Sequence, residues 1–103
     1  MKIAIVILNW NGQKLLEQFL PSVVDFSSKE ATIYIADNAS KDSSINYVKS
    51  SFPSIKIVEN DINGGYAKGY NDALKSIDAD IYCLLNSDVE VTQNWLKPII
   101  DIF

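Results

Sequence analysis

The stretch that decides the fold is "IAIVIL", residues Ile3–Leu8, and it is followed at once by "NWNG", residues 9–12. An apolar run of this kind is typical of a strand in a parallel sheet that is covered on both faces. Three further short apolar runs follow it along the chain, at Thr32–Ala36, Ile55–Val58 and Ile81–Leu85. The first and last runs are apolar throughout and are expected to be central strands, whereas the third alternates more, as an edge strand does.

Segments with helical periodicity lie between and after these strands. Apolar residues recur every three to four positions, which predicts amphipathic helices at Gln13–Val24, Asp42–Phe52 and Tyr66–Ile77. Pro21 is expected to kink or shorten the first of them. Thr92 is expected to cap a fourth helix that contains Trp95 and Ile100. The order of elements predicts an α/β fold, with a mostly parallel sheet of about four strands and helices on both faces.

Composition narrows the chemistry. A chain of 103 residues, 48% of them hydrophobic, predicts one folded domain over residues 1–103. The net charge of −4 argues against nucleic acid as a partner, because binding to phosphates needs a basic face. Histidine is absent and Cys83 is the single cysteine, which excludes His-ligated zinc, an intrachain disulfide and nucleophiles paired with histidine. The groups that remain available for chemistry are carboxylates, amides, hydroxyls, backbone groups and a bound metal.

Polar residues collect where each predicted strand ends, and these clusters are Asn9–Gly12, Asp37–Ser40, Asn60–Gly65 and Asn86–Asp88. The carboxyl ends of parallel strands meet at one edge of a sheet, where such folds bind ligands. We therefore expect four turns to face one cleft. Each cluster alone also fits an ordinary turn. Ser40 fits a helix cap better than a ligand, and Trp10 fits a core position and a wall for a planar ring equally well.

Two phosphate-binding motifs are absent from the sequence. No G-x-G-x-x-G follows the first strand, and no G-x-x-x-x-G-K-[ST] occurs anywhere. A mononucleotide held by a carboxylate, amides and a metal is compatible with what remains. The pair Gly64-Gly65 fits a turn with positive φ, and it also fits a place where a ligand approaches bare backbone.

Four motifs, in chain order, resemble the amino-terminal half of a family 2 glycosyltransferase with the Rossmann-like GT-A fold. They are "VILNWNG", "IADNASKD", "NGGYAKGYNDAL" and "LLNSDVEV", which begin at residues 6, 35, 63 and 84. The last resembles the Asp-x-Asp metal segment of the family, in the Asn-x-Asp form of rhamnosyltransferase-like members. The resemblance covers nearly the whole chain.

The resemblance implies a nucleotide-diphosphate sugar of uridine or thymidine as the donor, and metal-assisted, inverting transfer to a saccharide or another hydroxyl acceptor. It implies that Asp37 accepts a hydrogen bond from the base, that Trp10 packs beside the base and that Lys68 reaches the diphosphate. The other positions that it implies for the nucleotide-sugar site are Asn9, Asn11, Asn38, Gly65, Asn86 and Ser87.

The resemblance also implies a site for Mg²⁺ or Mn²⁺. Asn86 stands where the family has its first acid, so Asp88 is the expected ligand, and one carboxylate with substrate phosphates can hold such an ion. Family members continue into a segment that carries a general base. The chain is therefore expected to be a truncated, donor-binding half without that base.

The remaining expectations concern partners and place. The resemblance implies a glycan or lipid-linked acceptor and a cytoplasmic location, or one at the inner face of the membrane. The apolar end "IIDIF", residues 99–103, suggests self-association.

Two other functions compete with transfer: a nucleotide-binding module without catalysis, and a receiver-type signalling domain. The second is disfavoured because Asn9 and Asn11 stand where that fold has acidic residues.

Overall fold

The computed structural model describes residues 1–102. Strands and helices alternate along it, as the sequence predicts. The strands are β1 (Ile3–Asn9), β2 (Thr32–Asp37), β3 (Lys56–Glu59) and β4 (Ile81–Leu85). The helices are α1 (Gln13–Ser27), α2 (Ser44–Ser51), α3 (Tyr66–Leu74) and α4 (Lys97–Ile102).

The four strands form one parallel sheet in the order β3-β2-β1-β4. The α/β fold is thereby confirmed, and β3 lies at an edge as expected. The expectation that the last strand is central is wrong, because β4 pairs only with β1 among the described strands. Its side chains alternate: Cys83 and Leu85 pack on the core, whereas Leu84 is 51% exposed. An apolar run does not reveal how many neighbours a strand has, since pairing depends on distant parts of the chain.

Helices cover both faces of the sheet, as predicted. On one face, Ile5 and Ile7 pack with the buried sides of α1 and α2 in the larger apolar cluster. On the other face, Ala4 and Val6 pack against α3. The strand order changes direction at β1, since β2 lies on one side of it and β4 on the other. That arrangement creates a crevice at the carboxyl ends of β1 and β4.

The first helix is longer than predicted. α1 continues through Pro21 and ends at Ser27, so the expected shortening is wrong. Proline removes one helical hydrogen bond, but Leu16, Leu20 and Val23 bury the inner face of the helix and offset that loss. α3, in contrast, ends early: the amides of Ser76 and Ile77 bond to carbonyls three residues back, which tightens the chain out of the α-helix.

The last helix begins at Lys97, five residues after the expected cap Thr92. The reason is Asn94, whose φ of +62° cannot belong to a right-handed helix. The segment before α4 packs on α1 instead, where Trp95 Nε1 donates to Ser27 Oγ at 2.7 Å. No helix within residues 1–102 has the length and apolar character needed to cross a membrane.

The apolar carboxyl-terminal segment is only partly exposed. Ile99 and Ile100 pack against the chain's own core, whereas Ile102 is 78% exposed. Phe103, the last residue of the predicted self-association surface, lies outside the described residues. Self-association through this end stays a prediction.

Candidate functional site

A cavity of about 440 Å³, which we call the cleft, lies at the carboxyl edge of the sheet. All four polar clusters contribute to it, so the expected convergence of four turns is confirmed. The side chains from the ends of β1 and β4 flank the point where strand order reverses. The lining residues are Leu8, Trp10, Leu15, Asn38, Asn63, Gly65, Tyr66, Asn86, Ser87 and Asp88.

Trp10 forms an aromatic part of the cleft lining. It follows the most deeply buried strand, yet 56% of its surface is exposed. Of the two interpretations of this residue, the core position is therefore wrong. A large exposed ring at the switch point offers a flat apolar surface to a planar ligand group.

Asp37 is buried beneath the strand ends and does not line the cleft. Only 1% of it is exposed, and it accepts three hydrogen bonds. Its Oδ1 accepts from Asn9 Nδ2 at 2.9 Å and from Ser40 Oγ at 2.7 Å, and its Oδ2 accepts from the Ser40 amide at 2.9 Å. The carboxylate thus joins the ends of β1 and β2 to the loop that follows. Its contact with a base stays a prediction.

Ser40 belongs to this network and does not cap a helix, so that expectation is wrong. Its hydroxyl oxygen also accepts from Asn9 Nδ2 at 3.2 Å and from the Asn11 amide at 2.9 Å. Asn11 Oδ1 in turn accepts from the Lys41 amide at 2.7 Å. Asn9 and Asn11 therefore hold the loop from behind and lie outside the cleft lining.

The start of α2 is held by Asp42. Its carboxylate accepts from the Ser44 amide at 3.0 Å and from the Gln13 amide, at the start of α1, at 3.2 Å. A loss of solvation acts to raise the pKa of the exposed Asp42, but the hydrogen bonds from Ser44 and Gln13 outweigh it and the pKa lies below its usual range. The loop behind the cleft is thus tied to the first turns of both helices.

Gly65 lines the cleft with bare backbone. Its φ of +93° is cheap only for glycine, and its amide donates to Asn63 Oδ1 at 3.0 Å. Its neighbour Gly64 faces the stem of Lys68, where a Cβ would come within 2.5 Å of Lys68 Cδ. The turn therefore requires glycine at residue 65, and the approach of a ligand to this backbone stays a prediction.

Lys68 points away from the cleft. Its Nζ lies 2.7 Å from Asp72 Oδ2, one helical turn along α3, and it lines a separate depression with Asp61 and Asp72. In this conformation the structure does not support the expected contact of Lys68 with a diphosphate. The local partner on the same helix decides the direction of this side chain.

Tyr66 also lines the cleft, although no sequence motif predicted a role for it there. Its hydroxyl donates to Asn86 Oδ1, and its ring stacks edge-on against Tyr70 at a centroid distance of 5.0 Å. Tyr70 in turn donates to the Leu85 carbonyl at 2.9 Å, and burial raises its pKa so that it keeps the proton it donates. An aromatic residue directly after the Gly64-Gly65 turn was the available signal, and it is the same kind of signal as Trp10 after β1.

We expect the Tyr66–Asn86 contact to be measurable as a coupling. Tyr66→Phe removes only the hydroxyl, and Asn86→Ala removes its acceptor. Urea unfolding of the two single variants and the double variant should give a coupling energy of about 0.5–1 kcal/mol, the size of an ordinary hydrogen bond. Additive effects of the two substitutions would contradict the bond.

The end of β4 supplies the oxygen atoms that a hard divalent ion prefers: an amide from Asn86, a hydroxyl from Ser87 and a carboxylate from Asp88. Asn86 Oδ1 already accepts a hydrogen bond from Tyr66. Asp88 is the one acid among the described cleft residues. Residues 1–102 contain no group of three or more His, Cys, Asp or Glu side chains that could hold a metal. This donor set fits Mg²⁺ or Mn²⁺ when substrate phosphates complete the coordination.

Comparison with known proteins agrees with this fold. A family model described as "Glycosyl transferase family 2" matches residues 4–103. The search of curated proteins finds no match. Among solved structures, S. aureus TarS 1-349 in complex with UDP-GlcNAc matches with a TM-score of 0.83 and 24% identity, over 98% of this chain and 30% of that one.

A second structural match is a mannosyltransferase, PcManGT from Pyrobaculum calidifontis, in complex with GDP-Man and Mn²⁺. Its TM-score is 0.83 at 19% identity, over 96% of this chain and 31% of that one. At these identities the likeness shows a common fold. The chain spans about a third of the length of these two proteins.

Proposed function

Because this chain belongs to glycosyl transferase family 2, we propose that its cleft binds a nucleotide-diphosphate sugar and that the chain forms the donor-binding part of a glycosyltransferase. The observation that carries the proposal is the cleft itself. It combines an exposed aromatic ring at Trp10, bare backbone at Gly65 and an acid at Asp88 at the switch point of the sheet. Solved relatives bound to UDP-GlcNAc and to GDP-Man support a donor of this class.

The role proposed for each cleft residue follows from the chemistry of its side chain or backbone. Trp10 offers its face to the base, and Gly65 lets the nucleotide approach the backbone. No lysine or arginine is among the cleft residues that the structure describes, so the charge of a diphosphate has no cationic side chain to meet it there. Asp88 would hold Mg²⁺ or Mn²⁺, and such an ion, when bound, stabilises the negative charge that gathers on a departing nucleoside diphosphate.

The finer assignments are part of the same proposal. The donor base is uracil or thymine, and the acceptor is a glycan or a lipid-linked hydroxyl. The sequence of residues 86–88 favours a rhamnosyltransferase-like member, on resemblance alone. We assign donor binding, and not proton abstraction from the acceptor, to these residues, because the one acid among the described cleft residues is assigned to the metal.

Nucleotide titration tests the proposal. Trp95 lies against α1 and Trp10 in the cleft, so the Trp95→Phe variant makes Trp10 the only tryptophan reporter. We expect UDP or dTDP to quench Trp10 fluorescence, with at least about tenfold tighter binding in Mn²⁺ than in EDTA. ADP serves as the control ligand. If no nucleoside diphosphate binds the folded chain in Mn²⁺, as measured also by calorimetry on the unsubstituted protein, donor binding is wrong.

A nucleotide-binding module without catalysis is the second candidate, and the single acid of the described cleft favours it. Both candidates predict nucleotide binding. They differ in turnover: a transferase also releases nucleoside diphosphate from its sugar donor when an acceptor is present, whereas a binding module releases none.

A further inference from the structure

Three asparagine side chains, Asn38, Asn60 and Asn63, form a connected group that we call the amide network. It lies under the turn between β3 and α3. Asn38 Nδ2 donates to Asn63 Oδ1 at 3.3 Å and to the Gly65 carbonyl at 3.2 Å. Asn38 Oδ1 accepts from Asn60 Nδ2 at 2.7 Å. Both N–H groups and the oxygen of Asn38 are therefore engaged within the protein.

The amide network also reaches the body of α3. Asn60 Nδ2 donates to the Gly69 carbonyl at 3.1 Å. Gly69 faces Asn38 so closely that a Cβ would lie 2.6 Å from Asn38 Nδ2 and 2.8 Å from Leu8 Cδ1. The missing side chain at Gly69 lets the helix rest directly on the amide.

Asn38 touches the cleft but has no free N–H group to offer a ligand. Only 2% of it is exposed, and a ligand that accepted a hydrogen bond from its amide would have to break one of the bonds above. The free-energy cost of burying an amide is offset only by the hydrogen bonds that the amide makes. Two of the three hydrogen bonds of Asn38 go to the turn.

Burial contributes little to the order of the turn, because residues 61–68 are all exposed. Besides the amide network, it is held by the bond from the Gly65 amide to Asn63 Oδ1 and by the Tyr66 hydroxyl on Asn86. Yet Asn63, Gly65 and Tyr66, which come from this turn and the start of α3, are three of the ten cleft-lining residues. The position of that side of the cleft thus depends on polar contacts made from below.

We propose that Asn38 is a positioning residue: its amide fixes the turn at Asn63–Gly65 and thereby one side of the donor cleft, without touching the donor. The effect on donor affinity rests on the proposed function. The effect on the turn does not, and it can be measured in the chain alone.

The sharpest variant is Asn38→Asp. Aspartate has nearly the same shape and still accepts from Asn60, but it replaces two donor groups by an oxygen that faces Asn63 Oδ1 and the Gly65 carbonyl. Asn46→Asp, on the exposed side of α2, makes the same chemical change away from the cleft and is the control.

Amide hydrogen exchange reads the turn, and nucleotide titration in Mn²⁺ reads the cleft. In Asn38→Asp we expect exchange across residues 63–69 to accelerate about tenfold while β1 keeps its protection, and nucleoside diphosphate affinity to fall about tenfold. Asn46→Asp should leave both unchanged. If Asn38→Asp fails to fold, Asn63→Ala removes one acceptor at an exposed position and should accelerate the same exchange.

The outcomes separate the two proposals. Unchanged exchange across the turn overturns the inference. Faster exchange with unchanged affinity also overturns it, because the turn would then be held by Asn38 without positioning the cleft. If the unsubstituted protein binds no nucleotide, the proposed function fails, and the exchange result still decides whether Asn38 fixes the turn.

Discussion

Replacing Asp37 with alanine is expected to lower the free energy of unfolding by about 3 kcal/mol, because three hydrogen bonds to a buried carboxylate are lost together. The substitution also removes the acceptor of the buried Asn9 side-chain amide and of the amide and hydroxyl of the half-buried Ser40. Urea unfolding followed by circular dichroism measures the change. Asp25→Ala, on the exposed side of α1, is the control and should change stability by less than about 0.5 kcal/mol.

A loss of less than about 1 kcal/mol in Asp37→Ala would contradict the joining role of the carboxylate. The result also bears on how binding data are interpreted. Asp37→Ala would weaken nucleotide binding whether Asp37 contacts the base or only holds the strand ends. Binding and unfolding must therefore be measured on the same variant, and weaker binding with unchanged stability would point to a direct contact.

Replacing Asp88 with alanine is expected to abolish the part of nucleoside diphosphate affinity that depends on Mn²⁺. The reason is that Asp88 is the one acid among the described cleft residues, and no lysine or arginine there can replace the ion. Affinity in Mn²⁺ should fall by at least about tenfold, to the level seen in EDTA. Because Asp88 is exposed, stability should change by less than about 0.5 kcal/mol.

Glu90→Ala is the matched control for Asp88, since it removes an exposed acid two residues further on. Mn²⁺ that still tightens binding in Asp88→Ala would contradict the assignment. The reverse change, Asn86→Asp, should tighten Mn²⁺ binding, because a carboxylate can accept from Tyr66 with one oxygen and offer the other to the ion. Unchanged Mn²⁺ affinity in that variant would count against this geometry.

The elements of the fold could be predicted because their signals are local. The apolar run of β1 and the periodicity of α1 depend on neighbours in the chain. The bounds of both elements were therefore predicted to within a few residues. The edge position of β4 could not be found in this way, since pairing joins residues far apart in sequence. The start of α4 was missed for a different reason: the left-handed backbone at Asn94 is one of several conformations open to asparagine.

The residues of the candidate site were likewise predictable only where the signal is local. Trp10, Gly65 and Asp88 were placed at the cleft because parallel strands end at one edge, a rule that needs only the strand assignments. Asn9 and Asp37 were expected there too, but sheet register pairs them with each other and turns their polar groups inward. The direction of Lys68 depends on Asp72, and the role of Tyr66 depends on Asn86, so neither could be deduced from strand ends.

The amide network contains no group that gains or loses a proton at ordinary pH. Dipoles, and not net charges, hold the turn at Asn63–Gly65, so added salt has no ion pair to screen there. That side of the cleft should keep one shape across a wide range of pH and ionic strength. A pH or salt dependence of donor binding would then report on Asp88, the proposed ion and the phosphates, and not on the turn at Asn63–Gly65.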